Sequence, residues 1–427
     1  MIRYLGCAAA LALSAGTANA QAASDSGQIK HVFVIALENH NWTQPGTVTS
    51  PQPIFNNPAA PYINSLVTAG NPNATQASWA SNYLQVPAQA AGSPSGAGAV
   101  HPSEPNYIWA EAGIAGPRND ATPYNSAGVA TNVVNAPSLS AALAANGVTW
   151  RSYQEDTDLV KNAAGKATNG VLDKSQYTVP LTNFSGTSAD YTNAYNGSHQ
   201  YDYAVKHNPT AFFTATNGGY DLSTGNAQAV NYAPLQQLLN DLTANTVAQY
   251  NWITPDQFND MHTALTGGYD YRGVHYTGDA ASIAQGDNFL SMLIPQIMAS
   301  QAYQDNGAIV LWDDEAERED GTAAFTIPEI VISPLAKGNA YNSTVAFDHS
   351  SDLRSMQEIF GITPAQGVNW LGGAAGATDL SDLFRPGAFG PAAAAVPEPA
   401  TWAFMTFGVG AVGGALRRRK RPGVVAA

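Results

Sequence analysis

Val32-Phe33-Val34-Ile35-Ala36-Leu37 runs without a break into Glu38-Asn39-His40. An apolar run of this length reads as a strand, His31 to Leu37, and it hands over directly to residues that can do chemistry. Similar runs recur at Ala211 to Thr214, Gln249 to Thr254, Ala308 to Trp312 and Ile327 to Ser333. Helical patterns lie between them, at Leu139 to Ala145, Tyr232 to Thr243, Asp287 to Ser300 and Ser351 to Phe360. Strands alternating with helices predict an α/β fold with a mainly parallel central sheet and helices on both faces. Such sheets bind ligands at the carboxyl ends of their strands, so polar residues that follow apolar runs become the candidates. The segment Pro87 to Val100, rich in Gly, Ala, Ser and Pro, reads as a surface loop.

Glu38 follows the first strand, and oxygen donors held at a strand end suit a hard cation; the alternatives are a helix cap or a solvated acid. The run Ala308 to Trp312 ends in Asp313-Asp314-Glu315. Adjacent acids repel one another unless a proton or cation lies between them, so a metal is the economical reading. An acidic solvated turn is the other reading, because Glu317, Glu319 and Asp320 continue the run. In His101-Pro102-Ser103-Glu104-Pro105-Asn106-Tyr107, prolines stiffen the chain around Ser103, and a helix over Asn106 to Ala112 could offer N–H groups to an anion. By itself this pattern leaves Ser103 either a nucleophile or an N-cap. Asp260 and His262 follow the run at Gln249, and Asp348-His349 precedes the helix near Leu353. Each pair supplies an acid and a histidine, suited to metal or phosphate contact or to protonation of a leaving group. His207, in Lys206-His207-Asn208-Pro209, is a weaker candidate of the same kind.

The 427 residues suffice for one large α/β domain or two smaller ones. Only 12% are charged and the formal net charge is −14, which excludes the basic footprint of a nucleic-acid-binding surface. An acidic enzyme acting on anions must concentrate positive charge locally, and bound metal does so. The only cysteine, Cys7, falls inside residues 1–20, which read as a signal peptide. Arg3 gives its positive start, Leu5 to Ala15 its apolar stretch and Ala18-Asn19-Ala20 its cleavage site. A mature chain without cysteine has no disulfide.

At the other end, a Pro/Gly/Ala-rich linker (386–396) leads to Pro397-Glu398-Pro399, an apolar stretch from Trp402 to Leu416, and the basic run Arg417 to Arg421. This order resembles the PEP-CTERM sorting tail of Gram-negative bacteria, and residues 397–422 are assigned to it. The apolar stretch is shorter than the ~20 residues of a permanent anchor, which suits transient membrane anchoring. The resemblance implies processing by an exosortase-type enzyme, with the body in the periplasm, on the outer cell surface or outside the cell.

The body, residues 28–385, resembles the phosphoesterase family of bacterial acid phosphatases and non-zinc phospholipases C, within the alkaline-phosphatase-like superfamily. The matching motifs occur in family order: Glu38-Asn39 after the first strand, the HPSxPNY segment from His101 to Tyr107, and KHNP from Lys206. The ITP stretch with Asp260 and His262, the Gly286-Asp287 pair, the double acid at Asp313 and the DHSS stretch at Asp348 follow. The resemblance implies an alkaline-phosphatase-like fold, Ser103 as nucleophile, and Glu38, Asn39, Asp313 and Asp314 around a divalent metal ion. It implies further that His262 and His349 take part in catalysis and that Asn106, His207 and Asp260 contact the substrate. The expected activity is phosphomonoester hydrolysis through a phosphoserine intermediate, on a phosphorylated small molecule or lipid head group. Where many members continue with Gly-Gly and Tyr-Asp-His after the second acid, this chain has Glu315-Ala316-Glu317-Arg318, so a further histidine ligand is missing from that place. The rival functions are a phosphodiesterase or phospholipase C and a non-catalytic matrix or binding protein. A sulfatase is disfavoured, because Cys7 is the sole cysteine and no Ser-x-Pro-x-Arg motif occurs at Ser103.

Overall fold

The computed structural model of the chain describes residues 28–87, 100–317 and 324–389. The expected signal peptide, the sorting tail, most of the Pro87 to Val100 loop, and Glu319 and Asp320 lie outside the described residues.

The strands of the central sheet are β1 (His31–Leu37), β2 (Ala77–Ala80), β3 (Trp150–Gln154), β4 (Tyr232–Pro234), β5 (Tyr250–Thr254), β6 (Gly307–Asp313), β7 (Glu329–Ile332) and β8 (Tyr341–Ser343). They stand in the order β8-β2-β7-β6-β1-β5-β3-β4. Only β7 is antiparallel to its neighbours in this sheet; every other pair is parallel. The sheet is therefore mainly parallel, as the alternation of strands and helices predicts.

Successive side chains of a strand point to opposite faces, and here both faces are covered. Val32, Val34 and Ala36 of β1 join Ala308, Val310 and Trp312 of β6 in one core, with Tyr107 and Ile108 of α2 (Ser103–Ala112) and Leu139 and Leu143 of α3 (Leu139–Ala145). Phe33, Ile35 and Leu37 join Ile309 and Leu311 in the other, against Ile63 of α1 (Pro61–Leu66) and Leu290, Leu293 and Ile297 of α5 (Asp279–Met298). Two further helices are α4 (Leu238–Ala244), on the second face, and α6 (His349–Ile359), on the first. Each large apolar side chain so enclosed contributes about 1.5–3 kcal/mol, so β1, the middle of this stack, is locked in register.

That register positions the chemistry. Leu37 pairs with Asp313 and Ile35 with Ile253, so Glu38, Asp314 and the segment after Thr254 leave three adjacent strands at one level. Where β1 ends, the Glu38 N–H donates to the Asp260 carbonyl (2.8 Å). Glu155, following β3, accepts from the Asn259 amide (3.0 Å) and the Asp256 N–H (2.9 Å), and so pins the turn that carries Asp260 and His262.

Three expectations need correction. Ala211 to Thr214 is no strand: Pro209–Phe212 is a 3₁₀ turn and Thr214–Asn217 a short helix, because Pro209 starts a turn and Phe212 and Phe213 bury themselves in the first core, with Phe213 making only a single bridge, to Val134. Tyr232 to Thr243 begins as strand β4, whose Pro234 needs no donor at the sheet edge, passes through a 3₁₀ turn at Leu235–Gln237 and becomes α-helical at Leu238. Gly286 does not precede the long helix but lies inside α5, which starts at Asp279. A Cβ there would stand 2.3 Å from Met261 Cγ, so glycine lets the helix approach the turn that carries Asp260.

Candidate active site

Ser103 is the first residue of α2, and Pro102 occupies the N-cap position. The capping alternative for Ser103 is thereby removed, and its hydroxyl is spent elsewhere. It is buried and donates toward Glu38 Oε2 (3.1 Å) and Glu315 Oε1 (3.3 Å). Glu315 Oε2 accepts from the Asn106 amide (2.9 Å), one turn further along α2, and lies 2.7 Å from His101 Nδ1. Two carboxylates thus face one serine oxygen, each anchored from a different element.

Around Glu38 the donors crowd. His207 places Nε2 3.0 Å from Glu38 Oε1 and Nδ1 3.2 Å from Asp260 Oδ2, under the stacked ring of Tyr107 (centroids 5.2 Å apart). Neither contact of His207 has hydrogen-bond alignment, and Glu38 Oε1, His207 Nε2 and Asp260 Oδ2 all lack an aligned partner. Asp313 is enclosed with both carboxylate oxygens unsatisfied, although the N–H groups of His40 and Glu315 stand nearby. The Asn39 N–H donates to Asp314 Oδ1 (3.0 Å). With its nitrogen toward the acids, the Asn39 amide reaches Glu315 Oε1 (3.1 Å), Asp314 Oδ1 (3.2 Å) and Glu38 Oε2 (3.3 Å).

Burial dominates the electrostatics. It raises the Glu38 carboxyl to about 8 against the opposing pull of Lys206. Burial, then repulsion from Glu38, lifts Asp313, Asp314 and Asp260 well above the carboxylate range. Desolvation also pushes His207 well below its ordinary value and His262 down to about 4, with Lys206 adding to both. Lys206 itself is raised, because Glu38, Asp120 and Asp314 together outweigh its desolvation. The one ammonium that these shifts set against the cluster is thus held 3.2 Å from Asp120. A set of buried carboxylate oxygens without donors is costly unless protons or a cation compensate it. The oxygen-rich donors Glu38, Asn39, Asp313 and Asp314 fit a divalent ion by chemistry. Their spacing is looser: among the described residues, three His, Asp or Glu donor atoms come within 4.8 Å of one another at His40, Asp279 and Glu317 instead.

The remaining expected residues stand at the edges of this cluster. His262 is half-buried, its ring 5.8 Å from that of His207 and its Nδ1 2.9 Å from Thr263 Oγ1. His349 is enclosed behind the acids: Nε2 donates to the Asp314 carbonyl (2.6 Å), and Nδ1 accepts from Trp312 Nε1 (3.0 Å) with the Tyr83 hydroxyl at 2.9 Å. Its ring therefore meets the backbone of the acid pair and not Ser103, and burial lowers it to about 4. Sequence reasoning assigned no role to Glu315, His101 or Lys206, yet all three lie inside the quoted motifs. Their signal was proximity to the serine, the proline turn and the histidine, which only folding could convert into contact.

A buried serine facing carboxylates at the carboxyl ends of parallel strands is an arrangement that suits hydrolysis of a phosphoric ester. The chain belongs to the Phosphoesterase family, whose profile matches residues 96–363, more than half of it. Residues 395–420 match the PEP-CTERM protein-sorting motif, so the chain carries an export-sorting tail. No curated protein matches. Among solved structures, the chain is similar to an alkaline phosphatase superfamily protein from Vibrio parahaemolyticus (10% identity, 78% of this chain and 67% of that one, TM-score 0.42). It is similar as well to the lipoteichoic acid synthase LtaP from Listeria monocytogenes (11%, 81% and 75%, 0.43). A third is the phosphonate monoester hydrolase of Agrobacterium radiobacter (12%, 83% and 77%, 0.40). Among the described residues no helix is long and apolar enough to cross a membrane.

Proposed function

We propose that the chain hydrolyses phosphomonoesters outside the cytoplasm, with Ser103 as nucleophile. The observation that carries this reading is the buried Ser103 hydroxyl aimed at Glu38 and Glu315 from the first turn of α2. In the first half-reaction the Oγ proton passes to one of these carboxylates, Oγ bonds to phosphorus and the ester P–O bond breaks. The carboxylic acid so formed passes that proton on to the leaving oxygen, which His262, a neutral imidazole at its lowered value beside His207 on the half-exposed side, orients. Water then gives a proton to the same carboxylate as it attacks phosphorus, the Oγ–P bond breaks and that proton passes to Oγ. Glu38, Asn39, Asp313 and Asp314 would hold a divalent ion, which when bound supplies the positive charge that phosphoryl oxygens need. Lys206 adds a positive charge on the same side, Asn106 and His101 orient Glu315, and the Asp260 carbonyl holds the Glu38 N–H, with the His207 ring beside the Glu38 carboxyl. His349 acts at one remove, fixing the Asp314 backbone. In this reading residues 28–385 form the catalytic body, and an exosortase-type enzyme releases it from the transiently anchored tail.

The test is an acid quench of the metal-loaded protein during turnover of a phosphate-labelled monoester. Label is expected on the peptide containing Ser103, with a diester analogue turned over more slowly. Turnover without covalent label would refute the phosphoserine route. Faster diester cleavage would favour the phospholipase C-like alternative, and no turnover with any divalent ion would favour a non-catalytic matrix or binding role.

A further inference from the structure

A second group of donors lies beyond the carboxylates around Ser103, at the exit of β1. His40, Asp279 and Glu317 bring one ligand atom each within 4.8 Å of one another. They come from three separate places: the turn after β1, the first residue of α5 and the segment after β6. The geometry of His40 is decisive. Its ring is 3% exposed, and Nδ1 lies 3.0 Å from the Glu38 carbonyl, which can only accept, so Nδ1 carries a hydrogen. Nε2 is then the ring atom turned to the group, 3.2 Å from Asp279 Oδ1, and although burial opposes it Asp279 holds the imidazole above its ordinary value, so a proton on Nε2 pairs the two when no ion is bound. The place of that proton, with a second carboxylate from Glu317 alongside, has the donor set and spacing of a cation site.

The surroundings hold the three ligands in place. Asp279 Oδ2 accepts the Gln52 N–H (2.7 Å), which leaves Oδ1 turned toward His40. The Glu317 N–H donates to Asn41 Oδ1 (3.2 Å), which ties that segment to the residue after His40. A second-shell bond from the other ring nitrogen to a carbonyl is also what orients metal-ligating histidines.

We propose that His40, Asp279 and Glu317 form a second cation site, separate from the acids around Ser103, that takes a first-row divalent ion such as zinc. One imidazole nitrogen with two carboxylate oxygens suits such an ion better than magnesium or calcium, which favour oxygen alone. Binding there would clamp the β1 exit against α5 and the segment after β6. Since Nδ1 of the same ring holds the Glu38 carbonyl, the site would also fix the turn that presents Glu38 and Asn39 to Ser103.

The test counts zinc bound to the metal-stripped full chain, by elemental analysis after equilibrium dialysis, in the wild type, His40→Gln, Glu317→Gln and Asp313→Asn. His40→Gln and Glu317→Gln are each expected to bind one ion fewer than the wild type and to lose the zinc-dependent part of its melting temperature. Asp313→Asn is expected to retain the ion that those variants lose, whatever becomes of the acids around Ser103. Glu317 is exposed, so Glu317→Gln keeps the test informative if His40→Gln does not fold. Wild-type zinc content in both folded variants would overturn the proposal and leave a simple His40–Asp279 ion pair. Loss of the same single ion by Asp313→Asn and His40→Gln would overturn it too, because the two groups would then be one site.

Discussion

Replacing Ser103 by alanine separates catalysis from stability, because the hydroxyl makes few structural contacts. Its proton is directed only toward Glu38 Oε2 and Glu315 Oε1, and the N-cap position belongs to Pro102, which makes no side-chain cap bond, so no capping energy is lost. One hydroxyl proton shared between two carboxyl oxygens amounts to about one hydrogen bond, which puts the cost at ~0.5–1.5 kcal/mol, or up to ~3 kcal/mol where the acceptor is ionised. That amounts to a fall of roughly 1–12 °C in melting temperature, at about 2–4 °C per kcal/mol. If Ser103 is the nucleophile, turnover falls by about 10⁴ to 10⁶, or ~5.5–8 kcal/mol in the barrier. The assay pairs a melting curve with single-turnover and steady-state rates on a chromogenic monoester, over the same metal concentrations. Ser103→Thr, which keeps an oxygen nucleophile, is expected to retain part of the rate, limited by room for one methyl group at a position only 2% exposed. An alanine variant that stays folded and turns over at near-normal rate would show that another residue attacks phosphorus.

Three further outcomes follow from the same structure. Removing divalent ions with a chelator is expected to abolish turnover, and Asp313→Asn or Asp314→Asn to weaken metal binding measurably by titration; full activity in excess chelator would refute the metal reading. Glu111 is buried, accepts from Ser140 N (2.9 Å) and Oγ (2.7 Å), and is raised by burial to about 7. Protonated in both states below its unfolded value of ~4.3, it costs stability only as pH rises from there toward about 7. Glu111→Gln is therefore expected to flatten the fall in stability across that window, by up to ~3 kcal/mol, and an unchanged pH profile of unfolding would count against it. A chain ending near Phe389 is expected to fold as one cooperative unit, since β1 and β6 pair across most of the sequence; limited proteolysis that leaves two stable halves would disprove this.

The strand His31–Leu37, the helix Leu139–Ala145 and the double acid after β6 were legible from the chain alone, because burial on both sheet faces demands unbroken apolar runs and these leave a local trace. The motif around Ser103 was legible for a similar reason: prolines, a serine and an asparagine are chemically distinct and adjacent. Residues whose state depends on distant partners were not. Phe212 and Phe213 are as apolar as any strand, yet Pro209 and the core above the sheet end a 3₁₀ turn at Phe212 and leave Phe213 a single bridge, and Gly286 looked like a boundary when it lets the helix approach Met261. Nothing local says that Glu315 reaches Ser103 across 212 positions, or that His349 spends both ring nitrogens behind the acids. Residue type determined which chemistry was possible; the parallel register of β1, β5 and β6 decided which side chains share the site, because ligand contacts are set by strand ends brought to one level and not by separation along the chain.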